Sequence, residues 1–138
     1  MRILGFDVGD RRIGIAMSDP LGLTAQPLTV IESTQLTAEW LKQMIDDYDI
    51  EQIVVGRPLN RFGEPTAQTR KIEKWVSNLV KNNEYTVVYW DERYSTKAAK
   101  SVLIEADISR KNQKKVIDKQ AAVFILQGYL DYQSNKDK

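Results

Sequence analysis

Four carboxylates stand at the ends of apolar runs: Asp7, the adjacent Asp91 and Glu92, and Asp118. The chain has neither His nor Cys, which removes the usual general base, the Ser-His-Asp arrangement, thiol catalysis and the commonest zinc and copper ligands. Any catalysis therefore falls to carboxylates, lysines or hydroxyls. Clustered carboxylates are hard oxygen donors that suit Mg²⁺ or Mn²⁺, and such ions activate water and stabilise charge in phosphoryl transfer without a histidine.

Asp7 lies in the run Ile3-Leu4-Gly5-Phe6-Asp7-Val8-Gly9. Side chains alternate along a strand, so Ile3, Gly5 and Asp7 share one face, and Asp7 ends an otherwise buried row. Gly5 and Gly9 remove bulk beside it and leave room for a metal ion or a phosphate. A buried carboxylate must be neutralised, paired or bound to a cation. The plainer alternative is an Asp that caps its own hairpin turn. Asp118 begins a stripe with Ala122, Ile125 and Tyr129, so it belongs either to a helix face aimed at the sheet or to a first turn stabilised by the helix dipole. Asp91 and Glu92 follow the apolar run Thr86–Trp90, and a salt bridge to Arg93 is their structural alternative.

The elements that must position these groups are legible in outline. With 138 residues, 42% apolar and 28% charged, the chain is expected to be a single domain, 1–138, with a real core. No apolar run approaches the ~20 residues of a membrane span, and the N-terminus lacks a signal peptide's pattern, so a cytoplasmic address and no membrane partner are expected. Strands are predicted over 2–8 and 13–18, paired antiparallel across a short turn, with a third over 28–31. A helix follows from Ser33 or Thr34 with its apolar stripe on Leu36, Trp40, Leu41, Met44, Ile45 and Tyr48. Ile53–Gly56 reads as a strand buried on both faces. A second helix carries Ile72, Trp75, Val76, Leu79 and Val80, and a strand follows over 86–90. A helix from Ser95 or Thr96 to about Ala106, a polar segment over 107–115 and a final helix to about Tyr132 complete the chain.

This order predicts an α/β fold: a mixed five-stranded sheet, a three-strand antiparallel meander followed by parallel strands, with helices on both faces. Sites in such sheets lie beyond the carboxyl ends of the strands. If the strands ending in Asp7 and Asp91-Glu92 are parallel neighbours, their acids can converge. Arg11, Arg12, Arg57, Arg61, Arg93, Lys111, Lys114 and Lys115 are the candidate phosphate contacts, each with a solvated surface as the alternative.

The runs Gly5-Phe6-Asp7-Val8-Gly9 with Arg12–Asp19, Gly56-Arg57-Pro58-Leu59-Asn60, Asp91–Thr96, and Asp118-Lys119-Gln120-Ala121-Ala122 together resemble the YqgF (RuvX) family over nearly the whole chain. Tyr94 departs from the aliphatic residue expected there. The resemblance implies an RNase H-like fold similar to the RuvC junction resolvases, and a bacterial nuclease acting on pre-16S ribosomal RNA or on branched DNA. It carries Asp7, one acid of the Asp91/Glu92 pair, and Asp118 over as catalytic acids. Joined to the chemistry above, it implies Asp7, Glu92 or Asp91, and Asp118 as ligands of one or two Mg²⁺ or Mn²⁺ ions in phosphodiester hydrolysis. It leaves the RNA or DNA substrate, a ribosomal-precursor partner, and a monomer or homodimer open. An Asp-x-Gly turn also resembles the phosphate loop of the actin and sugar-kinase superfamily, but such proteins need two lobes. A non-catalytic nucleic-acid-binding factor is the third possibility.

Overall fold

The structure, a computed structural model, describes residues 1–81, 85–91 and 110–136. Its strands are β1 (Arg2–Val8), β2 (Arg12–Ser18), β3 (Ala25–Glu32), β4 (Ile50–Arg57) and β5 (Thr86–Asp91). Its α-helices are α1 (Ala38–Tyr48), α2 (Ala67–Val80) and α3 (Arg110–Lys136). The strands form one sheet in the order β3-β2-β1-β4-β5. β1 pairs antiparallel with β2 and parallel with β4, and β5 extends the parallel side. The predicted mixed sheet is therefore present. The neighbour of β1 is β4 rather than β5, so Asp7 and Asp91 stand on strands separated by one other.

Period-2 alternation sorts the sheet into two faces. Leu4, Phe6, Val8, Ile13, Ile15, Ile53 and Val55 pack under Leu41 of α1 and Ile72 and Val76 of α2. Ile3, Ala16 and Val54 pack under Ala122, Ile125, Leu126, Tyr129 and Leu130 of α3. Because β1 and β4 are covered on both sides, their runs are continuously apolar. Each fully buried aliphatic or aromatic side chain contributes about 1.5–3 kcal/mol.

Several boundaries differ from the sequence reading. β3 runs from Ala25 rather than Leu28, because pairing with β2 extends it to Ser18↔Ala25. The first α-helix starts at Ala38, where the Thr37 hydroxyl accepts a hydrogen bond from Trp40 N at 3.1 Å. The Ser33–Gln35 stretch forms a separate 3-10 turn. The segment 107–115 was expected to separate two helices, yet α3 already begins at Arg110. Its Arg, Lys and Gln residues are good helix formers, and no Gly or Pro interrupts them. The helix expected over 96–106 lies outside the described residues.

Candidate active site

Asp7 is the last residue but one of β1, half-buried, and faces α3. That facing is fixed by Gly5, two residues earlier, whose missing side chain admits the helix. A Cβ on Gly5 would lie 2.8 Å from Leu126 Cβ and 3.3 Å from Ala122 O. Across β2, Asp7 stands opposite Gly14. On β4, Val55 pairs with Phe6 and is followed by Gly56. The residues of the two flanking strands level with the carboxylate are therefore glycines, which add no side-chain bulk of their own at that point.

The hairpin after Asp7 is held short. Gly9 N donates to Arg12 O at 2.9 Å, and a Cβ on Gly9 would lie 2.8 Å from that same oxygen. Arg12 opens β2 and, by alternation with the core residue Ile13, shares the face of Asp7. Arg11 lies exposed in the turn, its carbonyl accepting from Ser33 N at 2.7 Å.

On β5 the alternation separates the two neighbouring acids of the sequence reading. Trp90 packs on α3: its indole lies 3.0 Å from the Cβ position of Gly128 and its ring meets Tyr129 edge-on at 6.0 Å. Tyr89 therefore points to the α2 side. Burial and the Glu73 carboxylate push its phenol above the ordinary 10.0, with Arg57 opposing them. Asp91 follows Trp90 and shares the Tyr89 face, opposite to Asp7. Glu92 and Arg93 lie outside the described residues.

Asp118 belongs to α3, and the course of that helix is well tied. Tyr129 OH donates to Gln52 Oε1 at 3.1 Å, and Gln127 accepts from Ala25 N at 2.9 Å and donates to Leu23 O at 3.0 Å. Gln52 pairs with Ile3, so Tyr129 lies at the level of Ile3, whereas Ala122 and Leu126 lie at Gly5. Moving toward the N-terminus of α3 is thus moving along β1 toward Asp7. Lys111, Lys114 and Lys115 occupy the first turns of the same helix. Among the described residues, no group of three acids forms a metal cluster.

The loop after β4 carries Arg57 and Arg61. Arg57 Nε lies 2.8 Å from Glu73 Oε1, with both side chains about a third exposed (35% and 37%). At that exposure the pair orients the guanidinium more than it stabilises the fold. Arg61 is exposed and stacks 4.9 Å from the Phe62 ring centroid. The loop is braced by Asn60 Oδ1, which accepts from Phe62 N and Glu64 N at 2.9 Å. It is also held by Thr69 Oγ1, which donates to Pro58 O. Thr69 is fully buried. Its part, like that of Glu73, is absent from the motif reading, although the spacing Thr66-x-x-Thr69 is a capping signal that α2 realises.

The family model described as "RuvX: Holliday junction resolvase" matches residues 1–132. A protein of Halothermothrix orenii named "Putative pre-16S rRNA nuclease" is 50% identical over 136 residues, covering 97% of each chain. One of Desulforamulus reducens with the same name is 48% identical over 133 residues, covering 95% of this chain and 97% of that one. Among solved structures, Thermus thermophilus RuvC in complex with a Holliday junction substrate matches with a TM-score of 0.55 at 12% identity, over 97% of this chain and 96% of that one. The Fowlpox virus resolvase bound to Holliday junction DNA matches with a TM-score of 0.52 at 14% identity, over the whole of both chains. At these identities the two structures speak for the fold, which is the RNase H-like one.

Proposed function

Because this chain belongs to the RuvX family of Holliday junction resolvases, we propose that it is a divalent-metal-dependent endonuclease that matures the 5′ end of pre-16S ribosomal RNA in the cytoplasm. The relatives named as pre-16S rRNA nucleases share about half of its residues over nearly its full length. The observation that carries the catalytic part is the setting of Asp7: a half-buried carboxylate at the carboxyl end of a central strand, flanked by Gly14 and Gly56. A carboxylate oxygen in this position suits a small hard cation, which takes oxygen donors and keeps several of its waters.

Asp7, Glu92 and Asp118 would hold Mg²⁺ or Mn²⁺. When bound, the ion supplies an activated water and stabilises the charge that develops on the phosphodiester. Asp118 is four residues before Ala122 on one helical stripe, and therefore one turn closer to the Asp7 end of β1. Glu92 takes the second position in preference to Asp91, because strand alternation turns Asp91 toward α2. Arg12, on the face of Asp7, binds the phosphate being cut and holds it for in-line attack. Arg11, Arg61, Lys111, Lys114 and Lys115 contact neighbouring phosphates. Arg57 is oriented by Glu73, and Arg93 follows the second acid. A four-way DNA junction is the alternative substrate, favoured by the description of the family.

The test is cleavage of a pre-16S 5′ leader fragment and a four-way DNA junction, side by side, with Mg²⁺, Mn²⁺ or EDTA. Wild type should cut the leader with metal only, and Asp7→Asn and Glu92→Gln should each lose at least about 100-fold, while Asp91→Asn keeps most activity. Metal should also raise the melting temperature of wild type but not of Asp7→Asn. Binding of nucleic acid without cleavage by any of these proteins would instead indicate a non-catalytic factor.

A further inference from the structure

A cleft of about 160 Å³ opens beside the carboxyl end of β1, lined by Val8, Gly9, Asp10, Ser33, Gln68, Lys71, Ile72 and Trp75. We infer that this cleft is a subsite for one unpaired nucleobase of the strand held at Asp7. The inference rests on the nuclease reading and adds a recognition element to it.

The floor is apolar: Val8 and Ile72 are 8% and 5% exposed, and half-buried Trp75 packs on the same core. The rim is polar. Lys71 Nζ lies 3.7 Å from Asp10 Oδ1 with both side chains about three-quarters exposed, so solvent screens the pair and Lys71 remains available to a phosphate. Gln68, exposed on the first turn of α2, offers an amide that both donates and accepts, as a base edge requires.

Size suits a flat ring, since an apolar cavity of about 150 Å³ takes a benzene ring and this cleft of about 160 Å³ is open to solvent on its polar rim. Position selects a nucleic acid. Val8, Gly9 and Asp10, one wall of the cleft, are the three residues after Asp7, and three extended residues span only about 10 Å. The cleft lies on the α2 side of the sheet and Asp7 on the α3 side. A strand whose phosphate sits at Asp7 and whose neighbouring base turns over the end of β1 reaches both. Such a base must be unpaired, which ties the cleft to single-stranded segments.

The test separates this subsite from the nuclease reading by measuring binding without cleavage, in EDTA. The probes are single strands of about twelve nucleotides, within the ~4–16 that one domain engages, made as RNA and as DNA, with one abasic position moved along the chain. Wild type should show a single position at which loss of the base weakens binding about tenfold or more. Gln68→Trp, which fills the cleft from its exposed rim, should remove that position-specific penalty, whereas Lys71→Ala should weaken all probes evenly. A 2-aminopurine at the same position should change its fluorescence in wild type and not in Gln68→Trp. Equal binding of every abasic probe, or a penalty that persists in Gln68→Trp, overturns the subsite and leaves the nuclease reading standing. Failure of wild type to bind any probe likewise overturns the subsite, whereas the nuclease reading is decided by the cleavage assay.

Discussion

Replacing Gly5 by Ala tests whether the close approach of α3 to β1 serves the site. The added Cβ would lie 2.8 Å from Leu126 Cβ, against the 3.5–4.0 Å of ordinary carbon contacts, and 3.3 Å from Ala122 O. One of the two partners is backbone and the other a Cβ, so a rotamer change relieves neither, and α3 must lift by roughly 0.7–1 Å. Overpacking of this kind costs about 1–3 kcal/mol. The lost freedom of the unfolded chain returns about 0.4–1 kcal/mol, leaving a net loss of up to about 2.6 kcal/mol, centred near about 1.3. For a domain of this size the central value is a fall in Tm of about 4–7 °C. Because α3 also carries Asp118, cleavage should fall by up to about 100-fold at a temperature where the variant is still folded. The matched control is Gly22→Ala. Gly22 has φ +70 and nothing within 4 Å, so Ala there should cost about 1 kcal/mol through backbone strain alone and leave cleavage intact. Thermal melts and single-turnover cleavage of the three proteins decide the matter. A Gly5→Ala protein that melts at or above wild type, or loses stability while cutting at the full rate, would refute the argument.

Two further outcomes concern the scaffold. Thr69→Val removes the hydroxyl that donates to Pro58 O and accepts from Thr66 N at 3.0 Å, leaving a half-buried carbonyl without that donor. Urea denaturation should show a loss of about 1–3 kcal/mol, and faster amide exchange over 58–66 should accompany it. Asp19 is held below the ordinary 3.8 chiefly by the backbone amide of Thr24, with Leu23 adding to it and desolvation opposing. Its Oδ1 accepts from those amides at 3.0 and 2.7 Å. A lowered folded pKa gives stability that is present above 3.8 and lost as pH falls through the folded value. Asp19→Asn should therefore melt below wild type near neutral pH, and the difference should close in acid below that point.

Local chemistry in the sequence determined a good deal. The absence of His and Cys narrowed any catalysis to carboxylates, lysines or hydroxyls, and the continuous apolar run of β4 announced a parallel strand covered on two faces. The Thr and Ser residues ahead of helical stripes marked where helices could begin, although only pairing and packing chose Thr37 over Ser33. Position across the sheet was a different matter. That β4 separates β1 from β5 depends on long-range pairing, which no short window encodes. So does the placing of Gly14 opposite Asp7 and of Gly56 one residue beyond the partner of Phe6: glycines far apart in the chain come level with the acid only when three strands are in register. The same holds for Asp91, an acid one bond from Glu92 in sequence, which the period of a strand turns to the opposite side of the sheet from Asp7. Motifs record which groups are available; the pairing of strands and the depth to which α3 sinks onto Gly5 decide which of them can meet, because facing and distance are properties of the packed sheet and not of the chain.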